Sequence, residues 1–217
     1  MTPLRLVLAV AACTVLATGC AGKKPAAQLA PLPDRPFAGL AGQQVIVLPA
    51  HYVRPADSLG WASQIHDART YLRTVDDELA FALGERGFRT LWVFPDRLAR
   101  EAHRNAGYAV DPYGLAAEGL RPGMTVPADG EIREPLGSQI RSLLAMSEAR
   151  YALLPVEIRF EKLGPTTGRA MLRMALIDGR LRRVRWLGDI PSDPADKLSP
   201  AVAASIASHF ADLIVAP

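Results

Sequence analysis

The sequence predicts an α/β (α+β) domain: a mixed β-sheet with helices packed mainly on one face and the other face partly open to water. Three observations carry this. The run Gln44 to Pro49 (QVIVLP) is continuously apolar and ends at a proline, as a strand buried on both faces does. Apolar stripes at helical spacing recur three times: Leu72, Val75, Leu79 and Leu83; Leu136, Ile140, Leu143 and Leu144; and Val202, Ile206, Phe210 and Leu213. Between the last two, Leu154 to Lys162 alternates, with Val156, Ile158 and Phe160 inward and Glu157, Arg159 and Glu161 outward, the pattern of an antiparallel strand wet on one side. The order of elements is β-α-β-α-loop-α-β-β-β-α.

Each element has a local reason. Thr70 to Arg86 forms the first helix, with Gly87 placed for a left-handed C-cap. Arg89 to Phe94 reads as the second strand, stopped by Pro95, after which Asp96 can cap a helix reaching about Asn105. The solvated side of the first helix takes Asp76, Asp77 and Glu78, because Val75 and Leu79 claim the core side. Residues 107–135, rich in Gly and Pro, break the rhythm apart from one short helix over Leu115 to Leu120; loops this long are uncommon in compact domains and are often functional. Arg169 to Ile177 and Arg183 to Ile190 form a hairpin around Asp178-Gly179, and Ser199-Pro200 opens the last helix.

Ahead of this domain, residues 1–19 have the layout of a secretion signal. Arg5 precedes an apolar run from Leu6 to Leu16 and a small-residue exit, Ala17-Thr18-Gly19, directly before Cys20. The run is too short to span a bilayer, which takes roughly 20 apolar residues. Leu16-Ala17-Thr18-Gly19-Cys20 resembles a lipobox, which implies a bacterial lipoprotein acylated on Cys20. Cys13 leaves with the signal, so the mature chain keeps no free thiol: a cysteine nucleophile and a Cys-ligated metal are excluded. Ala21 after the acylated cysteine points to the outer membrane, with the domain facing the periplasm; the inner membrane is the lesser alternative. Residues 20–43, with four prolines after the cysteine and no apolar period, read as a tether of up to about 70 Å at 3.1 Å per residue. The folded domain is then 44–217.

Composition narrows the function. Without the signal, 24 basic residues face 22 acidic ones, near-neutral and against a general nucleic-acid binder. No nucleophile elbow, phosphate loop, zinc-protease or paired-cysteine motif occurs, no cofactor is implied, and the four histidines (His51, His66, His103, His209) are scattered. A metal site and a catalytic set are therefore not expected. The densest charge is the hairpin, where Arg169, Arg173, Arg180, Arg182, Arg183 and Arg185 accompany one acid, Asp178. Such arginines suit an anionic surface, whether lipid head groups, lipopolysaccharide, peptidoglycan or an acidic partner; the same charges also shield a sheet edge from other chains. Trp61, in a polar connection, either anchors a partner or covers one end of the core.

The hairpin carries a family resemblance. Ile177-Asp178 followed by Val184-Arg185-Trp186-Leu187-Gly188 looks like a pattern of the CsgG-like family and of the related amino-terminal domain of TolB-like proteins, although Leu181-Arg182 stands where that turn often has Thr-Gly. The resemblance implies a non-enzymatic accessory or assembly lipoprotein that docks on an envelope transport or assembly machine. It covers residues 44–215 by order of elements and about a dozen by motif. The alternative is a periplasmic hydrolase of cell-wall or lipid material, whose acid and base would have to converge from distant parts of the chain.

Overall fold

The computed structural model describes residues 35–127 and 129–215; the signal, Cys20 and the first part of the tether lie outside the described residues. The strands are β1 (Val45–Val47), β2 (Tyr52–Val53), β3 (Trp92–Val93), β4 (Tyr151–Lys162), β5 (Gly168–Asp178) and β6 (Arg183–Pro191). The helices are α1 (Ala68–Glu85), α2 (Pro95–Arg104), α3 (Leu136–Met146) and α4 (Pro200–Asp212). The sheet runs β3-β1-β4-β5-β6, parallel from β3 to β4 and antiparallel from β4 to β6, with β2 pairing in parallel on the far part of β4. This is the mixed sheet with packed helices that the apolar pattern predicts, in the predicted order plus one short strand, β2.

The helices divide two to a face rather than gathering mainly on one. β1 shows why: Val45 and Val47 pack in one core with Val75 and Leu79 of α1 and Val202 and Ile206 of α4, whereas Ile46 and Leu48 pack with Leu98 of α2 and Ile140 and Leu143 of α3. A strand apolar on both faces needs cover on both. Among the described residues, the wet part of the sheet lies on the α2/α3 face, beyond the reach of those helices.

Local chemistry explains the ends. After α1, Gly87 takes φ 88° and the Phe88 N–H reaches the Leu83 carbonyl at 3.2 Å, a Schellman closure. Asp67 caps the same helix, accepting from the Arg69 N–H at 2.9 Å. Asp96 does not cap α2: Phe94 holds that position and Pro95 is the first helical residue, which leaves Asp96 in the first turn, where it still complements the helix dipole. Ser199 has N-cap backbone angles without a side-chain cap bond. The expected short helix in the long loop is a 3-10 turn, Ala117–Leu120.

Two expectations are corrected by burial. The domain begins before residue 44, because Phe37 is fully buried and Leu40 nearly so; the Phe37 ring meets Trp186 at 4.8 Å and Phe210 at 5.6 Å, edge to face. Asp76 does not lie on a solvated helix face. It is 5% exposed and its Oδ1 accepts from the Ala50 N–H at 2.8 Å, satisfying a donor left over where β1 ends.

Candidate functional site

The site begins with a bulge. In the β4–β5 ladder Pro155 faces Met174 and Glu157 faces Arg173, so Val156 is an extra residue on β4. Pro155 cannot donate to a ladder, which makes this a natural place for the pairing to slip. The slip reverses the alternation: Leu154 and Val156 face α2 and α3, whereas Ile158 and Phe160 face the α1/α4 side. Glu157 is thereby turned onto the α2/α3 face and buried to 1% exposure, although a simple alternation from Val156 to Phe160 puts it in water.

Two arginines meet it there. β2 pairs with β4 with Tyr52 beside Glu157, and the Arg54 N–H continues that pairing to the Ile158 carbonyl at 2.8 Å. Arg54 then donates Nε (3.1 Å) and Nη2 (2.7 Å) to Glu157 Oε1. Arg121, at the end of the 3-10 turn of the long loop, donates Nε to Oε2 at 2.6 Å and stacks its guanidinium 4.9 Å from the centre of the Tyr52 ring. One buried carboxylate thus holds two partly exposed guanidiniums, and the Glu118 carboxylate beside Tyr52 offsets part of the charge of Arg121. Breaking one partner of such a pair leaves an uncompensated buried charge, a cost of about 3–5 kcal/mol where burial is complete; here both arginines reach water and soften that cost.

The wet face continues from this cluster along β4, β5 and β6. Arg159 is bidentate on Asp189 (Nη1 to Oδ1 2.9 Å, Nη2 to Oδ2 3.1 Å) and also donates to Glu161 Oε1. Arg169 donates to the other oxygen of Glu161 at 3.1 Å, and Arg173 donates to the Leu120 carbonyl at 2.9 Å, tying the long loop to the sheet. Partial burial alone would raise the Asp189 carboxyl, but the Arg159 hydrogen bonds and the charges of Arg159 and Arg173 outweigh it and hold it below the ordinary range. Five arginines (54, 121, 159, 169 and 173) share three carboxylates on this face, fixed in place by one another.

The six hairpin arginines do not form one patch. Arg169 and Arg173 belong to the wet face, whereas Arg180, Arg182, Arg183 and Arg185 lie around the β5–β6 turn, roughly 17 Å along the strand from Arg173 and roughly 30 Å from Arg169 at about 3.3 Å per residue. The turn itself is built by Asp178, whose Oδ1 accepts from the Arg180 and Leu181 N–H groups while Arg150 Nη2 donates to Oδ2 at 2.8 Å. It ends on Arg182 at φ 55°, and Arg182 pairs with Glu134 at 3.0 Å. Trp61 is buried against Phe160, 5.7 Å between ring centres, and covers one end of the core rather than offering a contact surface.

The histidines stay apart. The Nδ1 of His51 and of His209 lie on the Pro49 and Pro191 carbonyls, that of exposed His66 on Gln64. Burial holds the His51 imidazole below its usual range. Asp76 is pushed up to about 8, chiefly by burial, so its second oxygen, which has no partner, does not carry a full charge at neutral pH. Among the described residues no three His, Cys, Asp or Glu side chains come together as a metal site, and no helix is long and apolar enough to cross a membrane. A recess of about 210 Å³ opens under the long loop between Leu120, Val126, Ile132 and Leu136, with Glu118 and Glu134 on its rim.

Glu157 and Arg121 were beyond sequence reasoning: Pro155 inside an apolar strand is the one local mark of the bulge, and nothing in the loop sequence singles out Arg121.

No family model matches the sequence, and no curated protein matches it. Among solved structures, the chain is similar to the LpoB C-terminal domain from Salmonella enterica, at 12% identity over 69% of this chain and 82% of that one, with a TM-score of 0.35. It is similar to a PelC dodecamer from Paraburkholderia phytofirmans at 12% identity over 79% and 88%, TM-score 0.37, and to the lipoprotein GNA1162 from Neisseria meningitidis at 15% over 68% and 77%, TM-score 0.29. None of these bears the CsgG-like or TolB name that the hairpin suggests, and with scores below 0.5 they assign the chain neither a family nor a function.

Proposed function

We propose that this chain is a non-enzymatic bacterial envelope lipoprotein, acylated on Cys20 and held at the outer membrane with its domain in the periplasm. It acts as an accessory or assembly factor by docking on an envelope protein of a transport or assembly machine. The observation that carries the docking surface is the wet sheet face: its arginines are pinned by Glu157, Glu161 and Asp189 before any partner arrives, so a carboxylate-bearing partner surface meets guanidiniums whose ordering entropy is already spent. Groups fixed by mutual pairing suit recognition. A reaction instead needs an acid and a base free to exchange a proton with substrate.

A photo-crosslinking residue at Arg169, compared with one at exposed Phe81 on α1, tests this in intact envelopes. A discrete crosslinked envelope protein from position 169, absent from 81 and lost in Arg159→Gln, is the expected result. Equal crosslinking from both positions overturns the docking face.

A further inference from the structure

One end of the fold has a composition of its own. Trp92, Val45, Tyr151, Asp178 and Arg183 lie in register across the sheet, so the start of β3, the starts of β1 and β4 and the β5–β6 turn share one edge. The C-termini of α1 and α4 reach the same edge, where Arg86 pairs with Asp212. The chain enters the domain here too: the Phe37 N–H donates to the Leu213 carbonyl, and the Phe37 ring rests on Trp186 near the start of β6.

Two leucines stand out into solvent from this end. Leu181, at the tip of the β5–β6 turn, is 50% exposed, and Leu91, just before β3, is 42% exposed. They flank the edge, separated by about three to four strand spacings, roughly 17 Å. Around them Arg89, Arg180, Arg183 and Arg185 are exposed, and among the described residues none of the four is in an ion pair. Helix dipoles account for arginines at helix C-termini, such as Arg86, and edge protection accounts for Arg183 and Arg185. Neither accounts for a leucine at the tip of a turn between two arginines. Apolar side chains ringed by unpaired cations are the composition of a surface that meets lipid head groups.

We infer that this end of the domain rests on the anionic phospholipid surface that holds the anchor, with Leu91 and Leu181 toward the lipid and Arg89, Arg180, Arg183 and Arg185 on the phosphates. The inference rests on acylation of Cys20. From Cys20 to Arg35 is 15 residues, at most about 50 Å of chain even when fully extended, so the end that receives the chain is the one kept nearest the bilayer. The wet docking face lies at the other end of β4 and β5, around Glu157–Glu161, and is then directed away from the membrane.

The test uses the mature acylated protein with Leu181→Cys, whose introduced thiol is the one free thiol of the chain, labelled with an environment-sensitive dye. Leu163→Cys is the control, because Leu163 is also exposed but sits at the opposite end, after β4. On vesicles of phosphatidylglycerol and phosphatidylethanolamine the dye at 181 is shielded from an aqueous quencher and the dye at 163 is not. On phosphatidylcholine both are open. Each of Arg180→Gln, Arg183→Gln and Arg185→Gln lowers occupancy of the shielded orientation about fivefold, and high salt acts the same way. Equal quenching at 181 and 163 on anchored protein overturns the orientation while leaving the anchor intact. A Cys20 that itself takes up dye, with the chain off the vesicles, shows the anchor reading to be wrong and removes the inference with it.

Discussion

Glu157 and Arg121 meet at 2.6 Å across 36 residues of sequence, and their contact fastens the long loop to the sheet. A segment that reads as an irregular 107–135 excursion is held at its middle by a buried carboxylate, helped by Arg173 on the Leu120 carbonyl.

Glu157→Gln should therefore loosen the loop more than the core. Hydrogen bonds to charged groups contribute about 1.5–3 kcal/mol, and the half-exposed arginines place the expected loss in the lower part of that range. Urea unfolding reads the loss, and hydrogen exchange should rise first around residues 116–125. A double-mutant cycle of Glu157→Gln with Arg121→Gln should give a coupling of about 0.5–3 kcal/mol. Zero coupling shows that the crossing contact does not fasten the loop.

Asp76 should make stability depend on pH. Its folded-state pKa, about 8, lies above that of an unfolded aspartate, so the folded state binds the extra proton. Stability from this group is fully present below about pH 4 and is lost as pH rises through 8, at about 1.4 kcal/mol per unit of separation. Unfolding midpoints measured from pH 5 to 9 should fall for the wild type and run flatter for Asp76→Asn. A variant with the same slope as wild type rules Asp76 out as its source.

The Phe37 side chain should be part of the cooperative fold. Phe37→Ala should cost about 3–5 kcal/mol, as for other buried phenylalanines. A chain beginning at residue 44 should be less stable than one beginning at 35 by at least as much, in the same denaturant titration. Equal stability of the two places Phe37 outside the core.

Acylation is read directly by palmitate labelling of cells making the wild type and Cys20→Ser. Label on the wild type and none on the variant is expected, since no other cysteine remains after the signal is removed. Label that persists on the variant contradicts the lipobox.

The sequence by itself determined the order of the elements, three of the helix stripes and several of their ends, because these depend on contacts within a few residues. Leu72, Val75, Leu79 and Leu83 lie on one side of any helix they form, and Gly87 at φ 88° closes it wherever it packs. The resemblance of Leu16 to Cys20 to a lipobox is likewise read without any fold around it. What only the tertiary structure decided is which way particular polar and aromatic groups face. Glu157 turns inward because β4 slips by one residue against β5, and a bulge is a property of two strands rather than of either alone. Asp76 is buried because the end of β1 leaves an N–H at Ala50 that must find an acceptor. Phe37, in a stretch without any apolar period, is buried because Trp186 and Phe210 converge on it from the far end of the chain. The hairpin arginines, adjacent in composition, part company because an extended strand carries its two ends about 30 Å from each other. Periodicity reports the neighbours a residue has along the chain, and register, bulges and long-range packing choose its neighbours across it.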